Sequence, residues 1–211
     1  MARPVLFVLA GVNGAGKSSI GGHLLREAGM AWFNPDSFAR ELMAATGCRQ
    51  AEANAAAWHE GLRRLDEALA RRRHHAFETT LGGNTMPARI QAAAMTHDVL
   101  MWYCGLDSPE HHLLRVKARV AAGGHDIPEA KIRERYATSL RNLIALLPHL
   151  THLQVYDNSA EAAPGEPIPD PMLVAQMNGG KLVWPTALAV LRDTPAWAKP
   201  LLEVALSSSG G

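Results

Sequence analysis

The chain has 211 residues, 47% hydrophobic and 19% charged, with a formal net charge of +1. That is enough apolar material for one core, and the length suits one domain with a short extension. Near-neutrality argues against a dominant nucleic-acid or membrane-surface footprint.

Met1-Ala2-Arg3-Pro4 leads into an apolar run far below the ~20 residues that span a bilayer, and no small-residue cleavage site follows it. No leader and no membrane span are expected. Val5–Ala10 is continuously apolar, as a strand buried on both faces should be. A helix is expected from Ser18 to about Ala28, stopped by Gly29. Ala31–Asn34 reads as a second strand. Asn34-Pro35 then opens a helix, with Asn as cap and Pro in the first turn.

A long helix is expected over Gln50–Arg73, with Trp58, Leu62, Leu65 and Leu69 on one stripe. His75–Thr79 and Val99–Cys104 read as strands. Ser108-Pro109-Glu110 starts a helix that ends at Gly123-Gly124. Another runs from Pro128 to Leu147, with Ile132, Tyr136, Leu140 and Leu143 on one face, and stops at Pro148. Leu153–Tyr156 is a fifth strand. Met172–Ala175 and Lys181–Trp184, joined by a turn at Asn178-Gly179-Gly180, read as a β-hairpin. A last helical stretch lies near Thr186–Arg192.

This alternation predicts an α/β fold: a five-stranded parallel sheet flanked by helices, with a helical lid at about 110–140 and a C-terminal hairpin. Residues 1–195 are expected as one domain. Residues 196–211, ending in Ser-Ser-Ser-Gly-Gly, are expected as a tail. Cys48 and Cys104 fit neither a disulfide framework nor a paired metal site, so reduced thiols and a cytoplasmic location are expected.

Gly11-Val12-Asn13-Gly14-Ala15-Gly16-Lys17-Ser18 matches the phosphate-loop pattern G-x-x-x-x-G-K-[ST] at every fixed position, between a predicted strand and a predicted helix. Glycines permit the tight turn, and successive N–H groups converge on an anion at a helix N-terminus. Gly11, Asn13, Gly14, Ala15 and Gly16 are therefore expected around the phosphates of ATP. Lys17 is expected on the β- and γ-phosphates, the Ser18 hydroxyl on Mg²⁺, and Ser19 on the α-phosphate side.

In open α/β sheets ligands bind beyond the carboxyl ends of the strands, so the polar residues there are candidates. Asp36 follows the second strand and could take a proton from a hydroxyl, though a first-turn acid also suits the helix dipole. Glu78 and Thr79 end the third strand. Glu78 could serve Mg²⁺ through water, hold substrate, or face solvent. Arg115 and Arg119 share one helical face, and Arg133 and Arg135 follow the Gly-Gly-His-Asp loop. Arginines flanking a glycine loop suit a mobile lid closing on a phosphoryl group; a solvated helical face is the alternative, above all for Arg133. Asn158, after the fifth strand, is a candidate near the adenine or a plain turn. Ten histidines show no zinc spacing, and most read as surface or helix residues. His125 stands apart because it sits in the expected lid.

Taken together, Gly-Val-Asn-Gly-Ala-Gly-Lys-Ser, Asn-Pro-Asp, Phe-Glu-Thr-Thr-Leu, Arg-Val-Lys-Ala-Arg-Val-Ala-Ala-Gly-Gly-His-Asp-Ile-Pro and Ser-Leu-Arg-Asn-Leu resemble the zeta-toxin-like P-loop kinases. More narrowly they resemble the branch often labelled "predicted ABC-type ATPase", although no ABC signature is present. The resemblance spans about residues 5 to 190. It implies a kinase that uses ATP and Mg²⁺ to phosphorylate a small-molecule hydroxyl, UDP-N-acetylglucosamine in the toxins, and an antitoxin-like protein partner. It implies roles for Lys17 on phosphate, Asp36 as base, Glu78 and Thr79 at substrate or the metal region, and Arg119 and Arg135 on the transferring phosphoryl. The toxins differ at the Asn-Pro-Asp segment and in the lid. An ATPase, a nucleotide or nucleic-acid kinase and a non-catalytic ATP-binding regulator are the other readings.

Overall fold

The computed structural model describes residues 2–18, 21, 31–162, 166–167 and 169–207. Six strands form one mixed sheet: β1 Val5–Ala10, β2 His75–Thr79, β3 Asp98–Gly105, β4 His152–Asp157, β5 Met172–Asn178 and β6 Lys181–Trp184. Their order is β2-β1-β3-β4-β5-β6. The first four are parallel, and β5 and β6 are antiparallel additions at one edge. The helices are α1 Pro35–Thr46, α2 Gln50–Ala70, α3 Thr85–Ala93, α4 Pro109–Ala121, α5 Glu129–Leu146, α6 Leu188–Arg192 and α7 Lys199–Ser207.

The sheet differs from the expected five parallel strands. Around Ala31–Asn34 only Phe33 pairs, in a single parallel bridge to Phe77. The cause is local. Asn34 Oδ1 accepts from Ser37 N at 3.0 Å to cap α1, and Pro35 has no N–H to continue a ladder. The hairpin forms as expected but joins the main sheet, through β5 against β4.

Helix α3 has no counterpart in the sequence reading. Its buried stripe is Met86, Ile90 and Ala93, and Pro87 in the first turn masks it while being tolerated there. Part of the expected tail is also structural. Ala198, Leu201, Leu202 and Ala205 are buried in the main core, at the spacing of an amphipathic helix. The helix expected over Ser18–Ala28 lies largely outside the described residues, as do Gly29, Ser19 and the final Ser-Ser-Gly-Gly. No helix among the described residues is long and apolar enough to cross a membrane. Both cysteines are free, and burial pushes the Cys104 thiol up to about 12.

β1 is covered on both faces: Leu6, Val8 and Ala10 lie in the main core, and Phe7 packs with Ala76 and Trp102 on the other side. Fully burying one such leucine contributes about 1.5–3 kcal/mol. The chain crosses from β1 to β2 on one side and later to β3 on the other. The carboxyl end of β1 is thus a topological switch point, where a crevice opens. The glycine-rich loop leaves β1 there.

Candidate active site

Gly11, Gly14 and Gly16 all adopt positive φ. At Gly11 a side chain is also excluded, because a Cβ would lie 2.2 Å from the Cys104 carbonyl oxygen on β3. Ala15 N donates to Val12 O at 3.1 Å and closes the loop. Lys17 is buried, its Nζ 3.3 Å from Val12 O and 3.5 Å from Glu78 Oε1.

Glu78, at the end of β2, draws three groups together. Its Oε2 accepts from Ser18 Oγ at 2.8 Å and from Asn34 Nδ2 at 2.8 Å, while Oε1 faces Lys17. A hydroxyl and a carboxylate side by side are hard oxygen donors, the kind Mg²⁺ prefers. Among the described residues no cluster of three or more His, Cys, Asp or Glu is arranged to hold a metal. Thr79 lies beside Glu78 and its Oγ1 accepts from Leu81 N at 3.2 Å. Asn34 was not among the residues expected at the site. Its cap signature was visible, but its second role, through Nδ2, depends on a contact across 44 residues.

A cavity of about 550 Å³ opens beside the loop. Asn13, Lys17, Asp36, Glu78, Thr79 and Arg135 line it. Phe33, Trp58 and Phe77 supply apolar wall. Asp36 sits in the first turn of α1. Arg119 from α4 reaches it, NH1 to Oδ2 at 3.5 Å, and NH2 donates to His125 O at 3.1 Å. Among the described residues Arg119 Nε is buried without a hydrogen-bond partner. Arg135 from α5 donates from NH1 to Asn13 Oδ1 at 2.7 Å, so it stands over the phosphate loop. Burial lowers its pKa, and the Asp36 charge opposes that. Arg133, two residues away, turns outward to Glu110 and Glu129 at 2.6 and 2.8 Å. Arg115 donates to Ala160 O at 3.3 Å.

Asn158 N donates to Gly105 O, and its Nδ2 donates to Ala15 O, both at 3.0 Å. Its amide group is thus tied to the phosphate loop. Neighbouring Asp157 is buried, with Oδ2 accepting from Trp197 Nε1 at 3.0 Å and Oδ1 from Ser159 N at 2.7 Å.

His112, expected as an ordinary helix residue, is 1% exposed. Its Nδ1 lies 2.8 Å from Asn13 O, so a neutral imidazole donates to the phosphate-loop backbone. Burial pushes its pKa down to about 4. An unfolded chain takes up this proton near 6.5 and therefore binds more protons between pH 6.5 and 4. Stability should fall as the pH drops through that window, by up to ~3 kcal/mol from this group. Thermal melts at pH 7 and 4.5 check it: His112→Gln should show a shallower fall than wild type. His75 and His97, also shifted down mainly by burial, carry a remainder.

Residues 6–139 match the family model described as an AAA domain. This chain belongs to that AAA-domain family. Over 71 residues it is 38% identical to an uncharacterized protein of Haemophilus influenzae, covering 32% of this chain and 51% of that one. This AAA-domain chain is similar in structure to the AvrRxo1-ORF1:-ORF2 complex with ATP, at a TM-score of 0.67 and 17% identity over 97% of this chain and 64% of that one. It is also similar to a chain of the PezAT chromosomal toxin-antitoxin system of Streptococcus pneumoniae, at 0.60 and 17% over 98% and 85%. A third likeness is to a putative kinase from Chloroflexus aurantiacus, at 0.53 and 16% over 64% and 78%. The chain spans about half the length of its Haemophilus relative and just under two thirds of the AvrRxo1 chain. At these identities the structural likenesses establish the fold alone.

Proposed function

We propose that the protein is a kinase that transfers the γ-phosphoryl group of ATP to a hydroxyl of a small molecule held in the 550 Å³ cavity. One observation carries this: Lys17, the residue expected on the phosphates, and Asp36, a carboxylate able to take a hydroxyl proton, line the same cavity.

The phosphate-loop N–H groups and Lys17 hold the triphosphate. Ser18, supported by Glu78, would hold Mg²⁺, which when bound would neutralise phosphate charge. Asp36 takes the acceptor proton. Arg135 and Arg119 stabilise charge on the group in transfer, and the unpartnered Arg119 Nε is a buried donor that a ligand oxygen would satisfy. Asn158 sets the outer wall of the loop on the base side. For the acceptor we take a nucleotide sugar, UDP-N-acetylglucosamine first, on the resemblance to the zeta toxins. That resemblance, with the PezAT and AvrRxo1-ORF1:-ORF2 assemblies as structural neighbours, supports an antitoxin-like protein partner, and the two free cysteines suit a cytoplasmic setting.

Incubation with ATP, Mg²⁺ and a panel of UDP-sugars and nucleosides, read by mass spectrometry, tests this. One acceptor should gain one phosphoryl group. ATP consumed at an equal rate with every acceptor, and none gaining mass, would leave only an ATPase. Arg119→Ala and Arg135→Ala should each lower kcat more than they weaken ATP binding, because their target is transition-state charge. Arg133→Ala, a surface ion pair worth about 0–1 kcal/mol, should be mild. Steady-state kinetics beside ATP titrations separate the cases.

A further inference from the structure

His125 is the member of the glycine-rich lid loop that the mechanism so far leaves without a task. It lines the same cavity as Asp36 and is 21% exposed. Its Nε2 lies 3.7 Å from Asp36 Oδ1. Arg119 clasps both groups, donating to the His125 carbonyl and reaching the other Asp36 oxygen. The turn that returns His125 to this point has strict needs: a Cβ on Gly124 would lie 2.9 Å from the Arg119 carbonyl oxygen and 2.7 Å from its Cγ. Asp126 follows His125 in the loop, and Lys131, Glu134 and Arg135 of α5 share the cavity.

We propose that His125 is the proton relay for Asp36. This rests on the reading of Asp36 as the base. As the acceptor oxygen bonds to phosphorus, its O–H bond and the bridging O–P bond of ATP break. ADP leaves with the electron pair of the bridging bond, and the proton goes to the Asp36 carboxylate. It then passes to Nε2 of a neutral His125, which releases it to solvent. An imidazole ordinarily holds a proton more tightly than a carboxylate, by roughly 10²–10³ in equilibrium, so the second transfer runs downhill and frees Asp36 for the next turnover.

The probe is Mg-ATP alone, with water as acceptor and ADP formation as readout. His125→Ala and His125→Gln should each lose about tenfold or more in rate, with ATP affinity held within twofold. Added imidazole should restore His125→Ala in a saturable way and leave Asp36→Asn inactive. A structural role would let Gln rescue and would ignore imidazole. Full rate in His125→Gln, or no imidazole effect, overturns the relay; full rate in Asp36→Asn as well removes the base assignment beneath it.

Discussion

Asp36→Asn is expected to bind ATP as wild type does and to lose phosphoryl transfer by about 10²–10⁴, the usual cost of a lost general base. The substitution preserves shape, and the neighbouring cap, Asn34 Oδ1 to Ser37 N, does not involve it. In the proposed reading ATP is held by the loop and Lys17, and Asp36 serves the acceptor. If Asp36 served only the helix dipole, turnover would stay normal and stability would change by about 0.3–1 kcal/mol. ATP titration, turnover and a melting curve on one preparation separate these outcomes.

Lys17→Ala is expected to weaken Mg-ATP binding about 10–100-fold and to lower turnover with it. Hydrogen bonds to charged groups are worth about 1.5–3 kcal/mol each, and 1.4 kcal/mol is tenfold in affinity. The fold should survive, because Glu78 keeps Ser18 and Asn34 as partners when Lys17 is gone. Calorimetric titration with Mg-ATP is the check. Affinity within twofold of wild type, with equal turnover, would remove the phosphate-loop assignment.

What was legible in the sequence was local. The apolar run of β1, the glycine-rich loop and the Asn34 and Ser108 caps each report their structure through near neighbours, and each is found. Arg133 was separable from Arg135 in principle, since Arg133 has Glu129 at i−4. What was not legible depends on contacts far apart in the chain. The meeting of Ser18, Asn34 and Glu78 spans 60 residues, and the tie from His112 to Asn13 spans 99. His111-His112 reads as a polar pair until packing buries it. The single bridge at Phe33 and the burial of α7 failed to register for opposite reasons. The segment around Phe33 has the composition of a strand but is ended by a cap, whereas α7 has the position of a tail but fills a gap in the core.

The most direct measurement follows the γ-phosphoryl group itself. With γ-labelled ATP, Mg²⁺ and a small-molecule extract of cells, the label should appear in an organic phosphate, and Asp36→Asn should abolish that product. Label found only as inorganic phosphate, at the same rate with and without the extract, would contradict a kinase.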